Sequence, residues 1–243
     1  MKVLSFDIGT RTLSYCILEV VEGVLSPPAA WESIDVHTEA HLAEKAKPTM
    51  REDSEYVVEA LHRRAARFWE CECECVIIEQ QPAGGNNRFS SVRMKSISHV
   101  VHAYFYTMQL AQRGMGAGGC RVPITFVSPS SKLAGMDKGE TAEQAAARQD
   151  GDRTAMGVKY RRNKKHAVDT TAALLAALPP SPESETCRAV FAAAAPKQDD
   201  LSDCFMLAYA FVTKKQPSRK RAPRVAAAPP RKRAAKALAA ETE

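Results

Sequence analysis

No stretch of this 243-residue chain is apolar for anything near the roughly 20 residues that a helical membrane span requires. A membrane-inserted protein is therefore not expected. The first ten residues, MKVLSFDIGT, also lack the uniformly apolar core of a secretory leader, because Asp7 interrupts them. The seven cysteines are odd in number and lack the spacing of a disulfide framework, so they read as reduced thiols in an intracellular compartment. Cys71, Cys73 and Cys75 alternate with Glu70, Glu72 and Glu74, without the C-x₂-C spacing or second ligand pair of a zinc site. They read instead as a strand entry with one thiol face. No internal repeat is present.

What is there is an ordinary globular composition, 45% apolar and 26% charged, in a chain long enough for one domain with appendages. The net charge of +6 hides a division. Residues 1–83 carry 8 basic and 15 acidic side chains, whereas residues 84–165 carry 14 and 5. Residues 166–213 are again acidic, with 2 basic and 6 acidic side chains, and residues 214–243 carry 10 and 2. Basic blocks beside acidic ones fit a polyanion-binding surface next to a carboxylate site.

The last block, from Lys214, is Lys-, Arg-, Pro- and Ala-rich with almost nothing to pack, so a disordered basic tail over 214–243 is expected, suited to phosphate contact or nuclear targeting. Residues 134–158 have no sustained apolar period and read as a long flexible insertion, with a short helix over 140–149. The remainder of 1–213 reads as α/β. Strands are expected at KVLSFDIG, at TLSYCILEVVEG and within 24–36, where Pro27 and Pro28 suggest an edge or bulge. A helix over 53–70 is expected from Val57, Val58, Leu61, Ala65, Phe68 and Trp69 at helical spacing. CVIIE (75–79) reads as a buried strand, then a helix over 89–113, the strand RVPITFV, and helices over 162–178 and 199–213. The pattern predicts a mixed five-stranded sheet with helices on both faces.

Four carboxylates stand out by position. Asp7 lies inside the first strand, and Glu79 ends Val76-Ile77-Ile78. Asp200 and Asp203, at i and i+3, share one face of the last helix. An acid at a buried strand end is costly unless it is paired or metal-bound. Four converging on one edge are served by a pair of divalent cations, the usual device for hydrolysing phosphodiesters. All-oxygen ligation favours Mg²⁺, with Mn²⁺ as substitute. Asp199 is equally a first-turn residue that satisfies free amides and the helix dipole.

FDIGT with Ser14-Tyr15, then IIEQQP, ITFVSPSSK, YRRNKKHAV and DDLSDCFMLAYAF, occur in the order seen in Holliday junction resolvases of the retroviral integrase superfamily. The chain resembles most the poxvirus-type resolvases of large DNA viruses, relatives of bacterial RuvC and of mitochondrial cruciform-cutting nucleases. The resemblance implies an RNase H-like fold with strand order 3-2-1-4-5. It implies Asp7, Glu79, Asp200 and Asp203 as ligands for two Mg²⁺ ions, and Lys165, with Lys164 as the adjacent alternative, as a lysine supporting catalysis. It further implies a homodimer making paired symmetric nicks in a four-way DNA junction, in recombination or in resolving replication concatemers at a nuclear or cytoplasmic viral replication site. Candidate DNA contacts are Arg88, Phe89, Arg93 and Lys95 after the fourth strand, Lys132 closing ITFVSPSSK, and Arg161, Arg162 and Lys164.

FDIGT also resembles the phosphate loop of the actin and sugar-kinase ATPases. That fold needs a second domain with its own Asp-Gly motif, and the Gly clusters at 84–85 and 114–119 lack the aspartate. An RNase H-type or RNA-processing nuclease remains the alternative, since its metal chemistry is the same. A non-cleaving nucleic-acid binder is the third reading, disfavoured because it has no reason to concentrate carboxylates beside DNA.

Overall fold

A computed structural model describes residues 1–43, 47–81, 88–114, 121–129, 153–195 and 197–213. The basic tail, most of the 134–158 segment and Lys132 lie outside the described residues. The described elements all belong to the unit Met1–Thr213.

The sheet is built outward from β1 (Lys2–Ile8). Antiparallel to it runs β2 (Thr12–Val21), paired from Lys2 opposite Glu19 to Ile8 opposite Leu13. The outer edge of β2 carries two short strands, β3 (Val24–Leu25) and β4 (Ala30–Asp35). On the other side of β1, β5 (Cys75–Glu79) runs parallel, followed by β6 (Ile124–Val127), parallel to β5. The sheet is therefore six-stranded, not five, because the third expected strand is interrupted. Ser26 N and Ala29 N still donate to Glu19 O and Ile17 O, while Pro27 and Pro28 between them have no N–H to give. With β4 counted as the third expected strand, the expected order 3-2-1-4-5 is the order observed.

Alternation along the strands feeds two cores. Leu4, Phe6, Ile8, Leu13, Tyr15, Ile17, Val76 and Ile78 face one side. There they pack under α2 (Met50–His62), α3 (Ala65–Glu70) and α4 (Arg88–Gly114), with the short α1 (Val36–Glu39) at the edge. Phe6 lies 5.8 Å from Phe68 and 5.4 Å from Phe105, ring centre to ring centre. Val3, Cys16, Leu18, Cys75 and Ile77 face the opposite side, under α5 (Arg153–Ala177), α6 (Pro182–Ala193) and α7 (Gln198–Thr213). Trp31 stacks on Phe191 there at 5.3 Å. Helices thus cover both faces, as expected.

The helices depart from expectation in three places besides the short α1. The 53–70 helix starts at Met50, because Thr49 and Glu52 form a reciprocal capping box, and it breaks at Arg63–Arg64 into α2 and α3. Helix α5 begins at Arg153, so residues 153–158 are helical and not part of a loop. Helix α6 was not expected at all, although Ser181 caps it by accepting from Ser184 N at 3.1 Å and Pro182 opens its first turn.

The first core also contains ionic groups. Arg64 bridges Glu32 and Glu39, and Tyr15 Oη donates to Glu32 Oε2 at 2.8 Å. Burial, reinforced by the Glu32 charge, pushes the Tyr15 phenol up to about 12. Despite its own burial, Glu32 is held below the usual carboxylate range by Arg64 and Tyr15. Asp53, almost fully buried, accepts from Arg93 and meets His37 Nε2 at 3.2 Å.

The tight link between β1 and β2 depends on Gly9, whose N–H donates to Thr12 O at 2.9 Å. A Cβ there would stand 2.7 Å from Thr12 Oγ1 and 2.9 Å from Thr12 O. Gly9→Ala is predicted to destabilise the fold by about 1–3 kcal/mol through overpacking. Urea unfolding of the purified variant checks this.

Candidate active site

Strand register decides where the first two acids go. Phe6 pairs with Ile78 in the parallel β1–β5 ladder, so Asp7 and Glu79 are the next step along it, at the C-terminal ends of adjacent strands. Val3 and Ser5 on β1, and Cys75 and Ile77 on β5, face α7. The two-residue period therefore places Asp7 and Glu79 on that same face.

Helix α7 brings the other pair. Ser5 Oγ donates to Cys204 O at 2.8 Å, and Trp31 Nε1 donates to Leu201 O at 3.0 Å, which fixes the helix over β1, β2 and β4. Its first turn holds Asp199 and Asp200, with Asp203 one turn on. The helix is more enclosed than one apolar stripe implies, since Ser202, Met206, Leu207 and Ala210 are buried besides Leu201, Cys204, Phe205 and Ala208. Asp200 is half-buried and hydrogen-bonded to the Thr12 side chain. Its pKa is raised, first by burial and then by the charges of Asp199 and Asp7, while Lys164 and Thr12 pull the other way. The structure thus brings Asp7 and Asp200 within electrostatic reach, sets Glu79 beside Asp7 on the ladder, and places Asp203 on the same helix as Asp200.

Lysine placement separates two neighbours. Ala167, Thr171 and Leu175 form the buried stripe of α5, continued by Leu178 just past its end, and Lys164 extends that stripe by one turn toward its start. Lys164 makes an ion pair with Asp199. Lys165, the first choice by resemblance, is exposed on the adjoining face. Asp199 thus serves as the lysine's partner.

The remaining cations divide. Arg161 and Arg162 are exposed near the start of α5, and Lys95 is half-buried on α4. Arg88 and Phe89 belong to the first turn of α4. Arg93 is engaged within the fold, its guanidinium donating to Asp53 Oδ2 and to Pro48 O at 2.9 Å and tying α4 to α2. Two residues that sequence reasoning passed over also sit at this end. Thr12 bonds Asp200, and Arg11 Nε donates to Asp35 Oδ2 at 2.8 Å. The only sequence signal for them is their position just after the Gly9 turn.

The donors suit a hard divalent cation: they are all carboxylate oxygens, and like charge around Asp200 is the stress that a cation relieves. Among the described residues, however, no three Asp, Glu, His or Cys side chains draw close enough to form a ligand set.

The structure is similar to the yeast mitochondrial Holliday junction resolvase Ydc2, with a TM-score of 0.53 at 14% identity over 86% of this chain and 78% of that one. The fold is RNase H-like. Weaker likenesses are to fowlpox virus resolvase, solved with Holliday junction DNA (TM-score 0.47, 16% identity, 87% of this chain and 96% of that one). Another is to RuvC of T. thermophilus in complex with a Holliday junction substrate (0.43, 14%, 87% and 95%). No protein-family model matches the sequence, and neither does any curated protein sequence.

Because the folded state holds the Asp200 proton more tightly than the unfolded chain does, stability falls as pH rises from the ordinary aspartate pKa through the raised one. Metal-free Asp200→Asn, which keeps an acceptor for Thr12, should therefore melt above wild type at pH 7. The gap should close as pH drops through the aspartate range, as read by thermal melts in EDTA. Arg93→Ala, which strands the buried Asp53 carboxylate, should cost about 3–5 kcal/mol in urea unfolding.

Proposed function

We propose that this chain is a divalent-metal-dependent, structure-selective DNA endonuclease that resolves four-way junctions by paired symmetric nicks, acting inside the cell as a homodimer. The observation that carries the reading is the convergence of Asp7, Glu79 and the start of α7 on one face of the sheet, with Asp7 charge felt at Asp200. The fold shared with a resolvase at 14% identity supports it, as does the motif order from FDIGT to DDLSDCF. That motif order is also what favours a poxvirus-type enzyme and a part in resolving replication concatemers.

In this reading Asp7, Glu79, Asp200 and Asp203 hold two Mg²⁺ ions. Bound there, the metals supply a nucleophilic water and stabilise the leaving oxygen of the phosphodiester. The chain's own residues do the rest. Thr12 fixes the Asp200 carboxylate by hydrogen bond, and the α7 anchors keep that carboxylate over β1. Lys164, oriented by Asp199, offers an ammonium to the charge that grows on the phosphoryl oxygens. Arg161 and Arg162 neutralise backbone phosphates at the rim, and symmetric copies of the site in a dimer account for paired cuts.

The test is cleavage of an immobile four-way DNA junction beside a matched linear duplex and an RNA–DNA hybrid, with Mg²⁺ or EDTA. Symmetric nicks confined to the junction are expected, lost in EDTA and reduced at least about a hundredfold in Asp7→Asn. Lys164→Ala should lower the rate on the order of 10²-fold, as loss of a charge-stabilising group does, while Lys165→Ala stays within a few-fold of wild type. Cutting of the hybrid alone would transfer the assignment to a ribonuclease. Tight binding without cleavage under either Mg²⁺ or Mn²⁺ would overturn the nuclease reading.

A further inference from the structure

The turn from α3 into β5 has no part in the carboxylate end, yet its geometry is unusual. Glu72 holds a φ of +49°, the left-handed region that side-chain-bearing residues seldom occupy. The flanking Cys71 and Cys73 have their Sγ atoms 3.0 Å apart, about 1 Å beyond the length of a disulfide bond. Cys73 is buried and Cys71 is partly exposed, so an incoming reagent reaches Cys71 first.

Beside the turn lies a cavity of about 610 Å³, lined among the described residues by Cys73, Glu72, Trp69, Gln109, Arg113 and Arg121. The indole N–H of Trp69 is buried and has no hydrogen-bond partner among the described residues. Arg113 and Arg121 are balanced in this lining by Glu72 and Glu74, and Cys71 is not part of it.

The electrostatics agree with the geometry. The hydrogen bond between the sulfurs, helped by Lys2, lowers the Cys71 thiol to about 7, whereas Cys73 is pushed up by holding the shared proton and by burial. A thiol poised near ambient pH is the effective attacker in disulfide exchange. Cys16 is a useful contrast, since complete burial raises its thiol and it lies in the core under α7.

We propose that Cys71 and Cys73 form a reversible dithiol–disulfide pair that exchanges with small disulfides, which reach the partly exposed Cys71 first. The Cys71 thiolate attacks one sulfur of R–S–S–R. The S–S bond breaks, and R–S⁻ leaves with the electron pair and takes up a proton. Cys73 then gives its proton to solvent and attacks the Cys71 sulfur, expelling the second R–S⁻. Two protein thiols are oxidised while one external disulfide is reduced to two thiols.

The experiment incubates the full-length reduced protein with oxidised glutathione, quenches in acid, alkylates under denaturing conditions and maps the products by mass spectrometry. Wild type should retain five of its seven thiols, with a Cys71–Cys73 bond located by fragmentation. Cys75→Ser, which removes the third cysteine of the same tryptic peptide, should lose the same pair. Cys73→Ser should trap a glutathione adduct on Cys71, and Cys71→Ser should carry neither adduct nor bond. Retention of all seven thiols, a persistent adduct on wild type, or a Cys73–Cys75 bond would each overturn the proposal.

Discussion

Two side-chain hydrogen bonds, from Ser5 to Cys204 O and from Trp31 to Leu201 O, tie helix α7 to the sheet, and the carboxylate end depends on that attachment. Both are buried, so losing either donor would remove a link between helix and sheet from a low-dielectric interior. The helix is then enclosed by α5 and α6, which bring Leu175, Leu178, Cys187 and Phe191 to the same core. Rigidity of this kind matters at a site made from three separate elements. Asp7, Glu79 and Asp200 keep their relations only while β1, β5 and α7 keep theirs.

The two faces of the sheet treat their acids in opposite ways. Under α2–α4, Arg64 takes up Glu32 of β4 and Glu39 of α1, and Arg93 takes up Asp53, which turns would-be penalties into cross-links between elements. Glu32 ends below its ordinary pKa as a result. Under α7, Asp200 ends above it, because burial and the charges of Asp199 and Asp7 outweigh Lys164 and Thr12. In the proposed nuclease a divalent cation would relieve that repulsion. On α5, Arg161, Arg162 and Lys165 are exposed.

Much of this was legible in the sequence, and the reasons are specific. Asp7 and Glu79 stand out locally, in or at the end of short apolar runs, and Asp200 and Asp203 by their i,i+3 spacing, whereas the strand order came only from the family resemblance. Splitting of the third strand was signalled by Pro27 and Pro28 but not resolved, since one strand with a bulge and two strands look alike in sequence. Helix α6 has its cap and proline in plain view at Ser181 and Pro182, but its apolar stripe is too weak to read as a helix from spacing. The difference in setting between Lys164 and Lys165 has no local signal, because it turns on which side of α5 meets α7. For Arg93, the deciding partner is Asp53, forty positions earlier in the chain and on another helix.

The central strand also carries a division of labour with consequences for how this chain can change. In β1, Leu4, Phe6 and Ile8 serve one core, while Val3, Ser5 and Asp7 serve the other core, the helix anchor and the site. Neighbours on both flanks hold that assignment, β2 antiparallel and β5 parallel. Gaining or losing one codon between Lys2 and Asp7 would exchange the two sets at once, turning Asp7 into the aromatic core and Phe6 toward the carboxylates. Point substitutions can be absorbed here one contact at a time, whereas length changes cannot. Among descendants of this sequence, variation in length should therefore collect in the connecting loops, with the spacing from the first strand residue to Asp7 left intact.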